Sequence, residues 1–188
     1  MVAPAVTTTL ALWAALELVL RVTELARRQG RTTSDRGTRV LIAVSLGVAV
    51  AAGLWLAAVT EAGSVWRLPE VAVAVGVVVM ASGLVLRVWA VLTLGRSFRT
   101  TVEVHPEQAV VDTGPYRFVR HPSYTGLLLV VLGFEIGTRV WPAILLTLLP
   151  LAAVVRRIAV EEAFLLAALG PSYADYRART RRLVPGIW

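Results

Sequence analysis

Cysteine and lysine are absent from this 188-residue chain, and histidine occurs twice, as His105 and His121. Without cysteine, the chain forms no disulfide and offers no thiolate for metal binding, nucleophilic catalysis or redox chemistry. Two histidines are too few for a metal site built from histidine alone, so we predict no metal centre. The sequence also lacks the G-x-G-x-x-G motif with which Rossmann domains bind dinucleotides.

Charged residues are scarce, at 16% of the chain, whereas hydrophobic residues make up 57% and the mean hydropathy is +0.71. An average soluble domain has about 25% charged residues. The composition therefore predicts an all-α integral membrane protein with the lipid bilayer as its partner. The net charge is +7, and every positively charged side chain that contributes to it is an arginine. Because most arginines lie between apolar runs, they indicate a membrane surface and not a nucleic acid.

Five apolar runs are candidates for membrane-spanning helices, since a helix needs about 20 residues to cross the hydrocarbon layer. The last two are shorter, meet at residues 137–139 and are predicted to form a helical hairpin. We expect Pro142 to lie in the first turn of the last helix and Pro150 to kink that helix. A single domain is predicted, with a two-helix region at 1–66 and a catalytic core at 67–188. The runs cover residues 5–25, 40–59, 69–94, 123–137 and 140–155.

The arginines between the runs set the predicted orientation. Arg67 is alone between the second and third runs, whereas the loop between the first two contains Arg27, Arg28, Arg31, Arg36 and Arg39. Because positively charged loops stay in the cytoplasm, we predict an external N-terminus and a cytoplasmic C-terminus. The first run lacks the basic start of a cleaved signal peptide. The lysine-free, arginine- and alanine-rich composition indicates a GC-rich bacterial genome, and so the plasma membrane of a bacterium.

Three ionisable residues fall within the first run, where a charge costs roughly 2.5–3.5 kcal/mol. Glu17, Arg21 and Glu24 follow one another at i, i+4 and i+7. This spacing places them on one helix face, and we predict that Arg21 pairs with both acids.

Two further ionisable residues lie in later runs. Glu135 is close to the predicted external loop, within reach of the interface and of Arg139, so no role is predicted for it. Arg87 has two alternatives of about equal weight. Its guanidinium either snorkels to the membrane surface or points into the bundle to hold an anion.

The polar segment between Gly95 and Ser123 is too long for a simple connection, which makes it a candidate functional loop. Residues 100–104 and 108–111 have extended character, and residues 112–115 form a predicted turn. The segment ends in Arg120-His121-Pro122-Ser123-Tyr124, which places a cation, an imidazole and a phenol at the membrane interface.

After the fifth run the chain is predicted to continue as an amphipathic helix, in which Arg157 and Glu161 share a face. Gly170-Pro171 ends this helix, and a second short helix is predicted over residues 172–182. Each feature has an ordinary structural explanation as a helix start, a surface ion pair or an interfacial aromatic belt. Together they gather carboxylates, arginines, an imidazole and tyrosines at one membrane face.

This ordered set resembles the isoprenylcysteine carboxyl methyltransferase family and, more widely, the phospholipid methyltransferase-like membrane enzymes. The matching residues fall in the C-terminal half. They are Gly114-Pro115-Tyr116, Arg120-His121-Pro122-Ser123-Tyr124, Arg157 with Glu161-Glu162, and Gly170-Pro171-Ser172-Tyr173-Ala174-Asp175-Tyr176.

The resemblance implies that the chain binds S-adenosylmethionine, which becomes S-adenosylhomocysteine, without a Rossmann domain. It implies that Arg87, Arg157 and Glu162 lie near the methyl acceptor. Glu103 stands where the family often has glutamine, so its match is weaker. The cofactor-binding positions implied by the resemblance are Glu103, Gln108, Ala109, Val110, Val111, Tyr116, His121, Pro122, Ser123, Tyr124 and Glu161.

Methyl transfer is an in-line displacement, in which the protein aligns the acceptor with the methyl group and excludes water. We expect a hydrophobic or lipid-like acceptor, with a carboxylate favoured as the reacting group, to enter from the bilayer between spans three to five. If the acceptor is a carboxylate, Arg87 and Arg157 can clamp it through charge-assisted hydrogen bonds. If it is an amine, thiol or phenol, Glu162 or His121 is the nearest candidate base.

Two other function classes are alternatives to a methyltransferase. The C-terminal bundle also looks similar to sterol reductases, which would use NADPH. A non-catalytic membrane scaffold would need the arginines only to set its topology.

Overall fold

The computed structural model describes residues 2–26, 37–95 and 110–188, apart from the side chains of residues 24–26. The described residues are helical, with two isolated β-bridges, which confirms the predicted all-α class. The helices are α1 Pro4–Ala26, α2 Thr38–Val59, α3 Val71–Leu94, α4 Pro122–Gly137, α5 Leu148–Leu169 and α6 Pro171–Arg179, with 3₁₀ helices at Gly114–Arg117 and Trp141–Thr147.

Four helical segments of the described chain are long and apolar enough to cross a membrane. They comprise α1, α2, α3 and the continuous stretch Trp141–Leu169. Helix α4 has 16 residues, so its length of about 24 Å is shorter than the roughly 30 Å hydrocarbon layer. The predicted fourth span is therefore a short helix packed inside the bundle, where five of its last seven residues are buried.

The last apolar run begins differently from the prediction. Residues 141–147 form a 3₁₀ helix, and the α-helical conformation begins at Leu148. Pro150 thus lies in the first turn of α5, where proline needs no backbone hydrogen bond, and not at a kink inside the helix.

Helices α3 and α4 pack antiparallel and make the most extensive contact between described helices. Two glycine pairs, Gly76 with Gly133 and Gly83 with Gly126, bring their backbones together. A Cβ atom added at Gly76 would lie 2.5 Å from the carbonyl oxygen of Gly133, and one added at Gly83 would lie 2.6 Å from that of Gly126. Small residues allow such close approach between membrane helices, where van der Waals packing drives association.

Arginines bind backbone carbonyls at the end of the bundle where α2 connects to α3 and α4 connects to α5. We call this the outer end, after the predicted orientation. Arg67 donates to the carbonyl oxygens of Ala57 at 2.9 Å, Thr60 at 2.5 Å and Thr138 at 3.4 Å. These contacts satisfy carbonyls at the C-terminal ends of α2 and α4, which have no partners within their own helices. The outer loops are therefore tied to one another.

The prediction for Glu135 is wrong. Its side chain is fully buried in α4, and it lies against Gly53 of α2. Within the described chain neither carboxylate oxygen accepts a hydrogen bond. Arg139 instead donates to the carbonyl of Leu68 at 3.1 Å and to Glu70 at 3.3 Å. Glycine at position 53 leaves the space that the Glu135 side chain fills, so the carboxyl group packs inward.

The C-terminal tail holds the opposite end of the bundle, where α4 begins, which we call the inner end. The amide of Arg120 donates to the carbonyl of Arg181 at 2.7 Å, and that of His121 donates to Arg182 at 3.0 Å. The Thr125 hydroxyl donates to the carbonyl of Leu183 at 2.8 Å. The tail thus fixes the backbone that leads into α4.

We expect Gly83→Ala to destabilise the chain by about 1–3 kcal/mol, because the added methyl group meets the α4 backbone. The matched control is Gly47→Ala in α2, where an added Cβ meets no atom within 4 Å. Thermal unfolding of both variants in detergent measures the difference. A Gly83→Ala protein as stable as the Gly47→Ala protein would contradict the close packing of α3 and α4.

Candidate functional site

A cavity of about 610 Å³ opens between the helices and contains most of the predicted site residues. Its outer part is apolar and is formed largely by α1 and α2, with α4 and α5 completing the wall. Its inner part is polar. The apolar wall includes Leu10, Trp13, Leu18, Ile42, Leu46, Val50 and Leu127, and the polar part includes Glu17, Arg21, Arg39, Arg87, Arg120, His121, Tyr124, Arg157 and Glu161.

The helices that form this wall differ from the predicted ones, since we expected the acceptor to enter between spans three to five. Trp13 of α1 and Leu46 of α2 belong to the apolar wall. The first two spans carry no motif, so the family resemblance did not indicate that they contribute to this wall. An apolar wall needs shape and hydrophobicity, which motifs do not encode.

Arg87 points into the bundle, so the second of its two predicted alternatives is the one observed. Its side chain is 6% exposed and pairs with Glu17 of α1. The Nε atom donates to Glu17 Oε1, and Nη2 donates to Glu17 Oε2 at 2.9 Å. Nη1 donates to the carbonyl oxygen of Ser123 at 2.9 Å and to its hydroxyl at 2.8 Å. Arg87 therefore joins α1 and α4 to its own helix.

The predicted pairing of Arg21 with Glu17 is consequently wrong. The two Glu17 oxygens face Arg87 across the bundle, because the buried guanidinium needs a counter-charge more than the exposed Arg21 does. The side chain of Glu24 lies outside the described residues. Arg21 instead lines the cavity.

A second network links Arg157 to Glu161 through a phenol. Arg157 is 1% exposed, and its Nε donates to Tyr124 Oη at 3.1 Å. The Tyr124 hydroxyl donates to Glu161 Oε2 at 2.9 Å, while Arg157 Nε lies 3.6 Å from the same oxygen. Arg157 Nη1 also donates to the Thr38 hydroxyl at 2.9 Å, which ties α5 to α2.

Glu162, the neighbour of Glu161, holds a third network beneath the cavity. Its Oε1 accepts from Arg120 Nε at 2.7 Å and lies 3.4 Å from His121 Nε2. Its Oε2 accepts from Arg182 Nε at 3.1 Å. The side chain is 4% exposed and is not part of the cavity wall. This carboxylate therefore orients His121 and anchors the tail.

Three tyrosines complete the inner end of the cavity. Burial raises the pKa of the Tyr116 phenol, and the nearby Glu161 carboxylate raises it further. Burial likewise raises the pKa of Tyr173 and of Tyr176. All three phenols stay protonated at neutral pH. Tyr176 donates to the carbonyl of Tyr116 at 2.8 Å, whereas the buried Tyr173 hydroxyl has no hydrogen-bond partner within the described chain.

The structure thus places nine of the predicted site residues in the cavity wall and two outside it. Pro122 forms the first turn of α4, and Glu162 lies beneath the wall. Glu103, Gln108 and Ala109 lie outside the described residues, as do residues 100–104. The nine that line the cavity are Arg87, Val110, Val111, Tyr116, His121, Ser123, Tyr124, Arg157 and Glu161.

The cavity residues missing from the predicted site include Glu17, Tyr173 and Tyr176. A signal for Glu17 was present, because an acid and an arginine in different membrane helices tend to pair with each other. The two tyrosines belong to the Gly170–Tyr176 motif but were predicted only as part of a surface helix.

Comparison with known proteins identifies a family of membrane enzymes. The sequence model described as phospholipid methyltransferase matches residues 71–172. The probable protein-S-isoprenylcysteine O-methyltransferase of Oryza sativa subsp. indica is 33% identical over 120 residues, which cover 60% of this chain and 61% of the rice protein. Protein-S-isoprenylcysteine O-methyltransferase B of Arabidopsis thaliana is 32% identical over 119 residues, covering 60% and 58%. The chain thus matches less than two thirds of the length of these relatives.

A solved structure shares the fold. The eukaryotic intramembrane Ras methyltransferase ICMT (isoprenylcysteine carboxyl methyltransferase) aligns with a TM-score of 0.69 at 24% identity. The alignment covers 97% of this chain and 65% of that protein. The bundle described above therefore occurs in a known membrane protein, α1 and α2 included.

We expect Glu162→Gln to destabilise the chain by about 2–3 kcal/mol, because charge-assisted hydrogen bonds to Arg120 and Arg182 lose their ionised acceptor. Glu161→Gln is the matched control, since this side chain is 25% exposed. Thermal unfolding measures both. Equal melting temperatures for the two variants would contradict the structural role of Glu162.

Proposed function

Because the chain belongs to the phospholipid methyltransferase family, we propose that it is an integral membrane methyltransferase that uses S-adenosylmethionine to methylate a hydrophobic acceptor. The observation that carries this proposal is the two-part cavity, whose apolar wall suits an acceptor from the bilayer and whose polar end suits a zwitterionic cofactor. Residues 67–188 are the proposed catalytic core, to which residues 1–66 add the wall made by α1 and α2.

The donor set at the inner end fits S-adenosylmethionine. When bound, this cofactor supplies a methyl group activated by attachment to a sulfonium. Glu161 lines the cavity and can hold an ammonium group, while His121 and the backbone at Val110 and Val111 can meet a carboxylate. The buried Tyr173 hydroxyl, which has no partner among the described residues, offers a further hydrogen bond to a polar ligand.

The remaining residues align the acceptor and exclude water. Tyr124 connects Arg157 to Glu161 by hydrogen bonds, so a side chain proposed to align the acceptor and the side chain proposed for the cofactor share one network. Such coupling holds the reacting groups in a fixed relative position, which is the main contribution a protein makes to an in-line displacement. His121 is held in turn by its contact with Glu162 at 3.4 Å.

The inner end of the bundle is the proposed cytoplasmic face. Arginines concentrate there, at Arg39, Arg117, Arg120 and in the tail, as the positive-inside rule requires. We propose that the cofactor enters from the cytoplasm and the acceptor from the bilayer, in the plasma membrane of a bacterium.

Ligand stabilisation tests the cofactor class. We expect S-adenosylhomocysteine to raise the melting temperature of the purified chain and NADPH to leave it unchanged, because a ligand stabilises only the folded state that binds it. Stabilisation by NADPH alone would support a sterol-reductase-like enzyme. No stabilisation by either ligand would support a non-catalytic scaffold.

Two variants separate the proposed roles. We expect Glu161→Ala to weaken S-adenosylhomocysteine binding by about tenfold or more, which corresponds to one charge-assisted hydrogen bond. We expect Arg157→Ala to slow methyl transfer more than it weakens this binding. Isothermal titration and initial rates measure the two effects, with Glu70→Ala, an exposed acid at the outer end, as control. Equal affinity in Glu161→Ala and the unsubstituted chain would refute the role of Glu161.

The acceptor can be found directly. We expect incubation of the purified chain with methyl-labelled S-adenosylmethionine and a host lipid extract to label an apolar product, which chromatography and mass spectrometry identify. Heat-inactivated protein is the control. Labelling of water-soluble compounds alone would contradict an acceptor from the bilayer.

A further inference from the structure

Glu17 places a carboxylate at the boundary between the polar part of the cavity and the apolar wall proposed for the acceptor. It belongs to α1, outside residues 71–172 that the family model matches. Its side chain is 17% exposed and lines the cavity one helical turn from Trp13. A carboxylate in a membrane-spanning helix, next to an apolar wall, is costly, so its position calls for a functional explanation.

The contacts of Arg87 limit what this arginine can bind. A guanidinium has five N–H donors and binds a carboxylate best through two parallel hydrogen bonds. Glu17 occupies the edge formed by Nε and Nη2, and Ser123 accepts twice from Nη1. Four of the five donors are therefore engaged, and no pair of parallel donors remains for a second carboxylate.

We propose that Glu17 selects an acceptor whose reacting atom carries a hydrogen, namely a hydroxyl, thiol or amine, and excludes carboxylate acceptors from Arg87. This inference rests on the proposed methyltransferase function. A carboxylate has about four lone-pair positions, of which Arg87 uses two. The others are open to the cavity and accept a hydrogen bond from the acceptor.

In the proposed methyl transfer, Glu17 accepts the proton that the acceptor loses. A lone pair of the acceptor oxygen, sulfur or nitrogen forms the new bond to the methyl carbon. The bond between that carbon and the sulfonium sulfur breaks, and its electrons stay on sulfur. The proton of the acceptor passes to Glu17. Until then, Arg87 holds the carboxylate in position through two hydrogen bonds.

A carboxylate acceptor would meet two obstacles at this position. It would have to displace Glu17 from Arg87, and it would place a second negative charge beside the first in an apolar setting. Arg157 does not offer an equivalent edge, because its Nε donates to Tyr124 and its Nη1 to Thr38. Arg21 and Arg39 line the cavity nearer its inner opening. Their charges are present whichever class of acceptor binds, so they do not account for the selection.

Four probes of similar chain length test the selection: decanoic acid, decylamine, decanethiol and para-decylphenol. The purified chain in lipid nanodiscs is incubated with each probe and labelled S-adenosylmethionine, and decanoic acid binding is measured separately by native mass spectrometry. We expect transfer to at least one protic probe and none to decanoic acid. The protic probes distinguish oxygen, sulfur and nitrogen acceptors.

The Glu17→Gln variant should reverse the preference. We expect it to bind decanoic acid about tenfold more tightly than the unsubstituted chain, because Arg87 regains a donor pair. Transfer to the protic probe should fall at least tenfold. Glu17→Asp, which keeps the charge, should bind decanoic acid as the unsubstituted chain does. Glu70→Gln, an acid-to-amide change at an exposed position, is the matched control.

Two results would overturn the inference. One is methyl transfer from the unsubstituted chain to decanoic acid, and the other is a Glu17→Gln protein that binds decanoic acid no better. An unchanged S-adenosylhomocysteine thermal shift shows that the variant is folded. If the unsubstituted chain shows no such shift, the methyltransferase proposal fails, while the decanoic acid affinities still decide whether Glu17 blocks Arg87.

Discussion

A charge buried among membrane helices must be neutralised from another helix, and Arg87 imposes this requirement on the whole bundle. Its guanidinium reaches Glu17 of α1 and Ser123 of α4, so three helices are positioned by one side chain. Glycine at position 126 makes the approach possible. A Cβ atom there would lie 2.9 Å from the amide nitrogen of Arg87. Close backbone packing and charge pairing therefore occur at the same place and stabilise the same arrangement of helices.

The two adjacent acids of α5 show how one helix serves two purposes. Successive residues of an α-helix point about 100° apart. Glu161 faces the cavity and accepts from Tyr124, whereas Glu162 points to Arg120, His121 and Arg182. One acid is thus available to a ligand, and the other is committed to holding the surrounding backbone. Exchange of their roles would require the helix to rotate, which the contact between Arg157 and Thr38 opposes.

The apolar runs predicted the helices well, because hydrophobic length is a local property of the sequence. Pairings between helices were harder to predict. Arg21 lies one turn from Glu17 and was the obvious local partner, yet the three-dimensional fold brings Arg87 closer. Glu135 was misplaced for the same reason, since the glycine that accommodates it lies in α2.

The seven-residue spacing of Gly76 with Gly83, and of Gly126 with Gly133, was a readable signal for helix packing. Motif resemblance placed Arg157, Tyr124 and Glu161 together, and the structure joins them in one hydrogen-bond network.

The contacts made by the C-terminal tail also bear on how the protein is synthesised. The amides of Arg120 and His121 find their acceptors on Arg181 and Arg182. These carbonyls emerge from the ribosome only after α5 and α6 have been made. Until then, the entrance to α4 has unpaired backbone groups at the membrane surface, where water must satisfy them. Helix insertion can therefore proceed in chain order, but the backbone contacts at the start of α4 form only after the tail has been made.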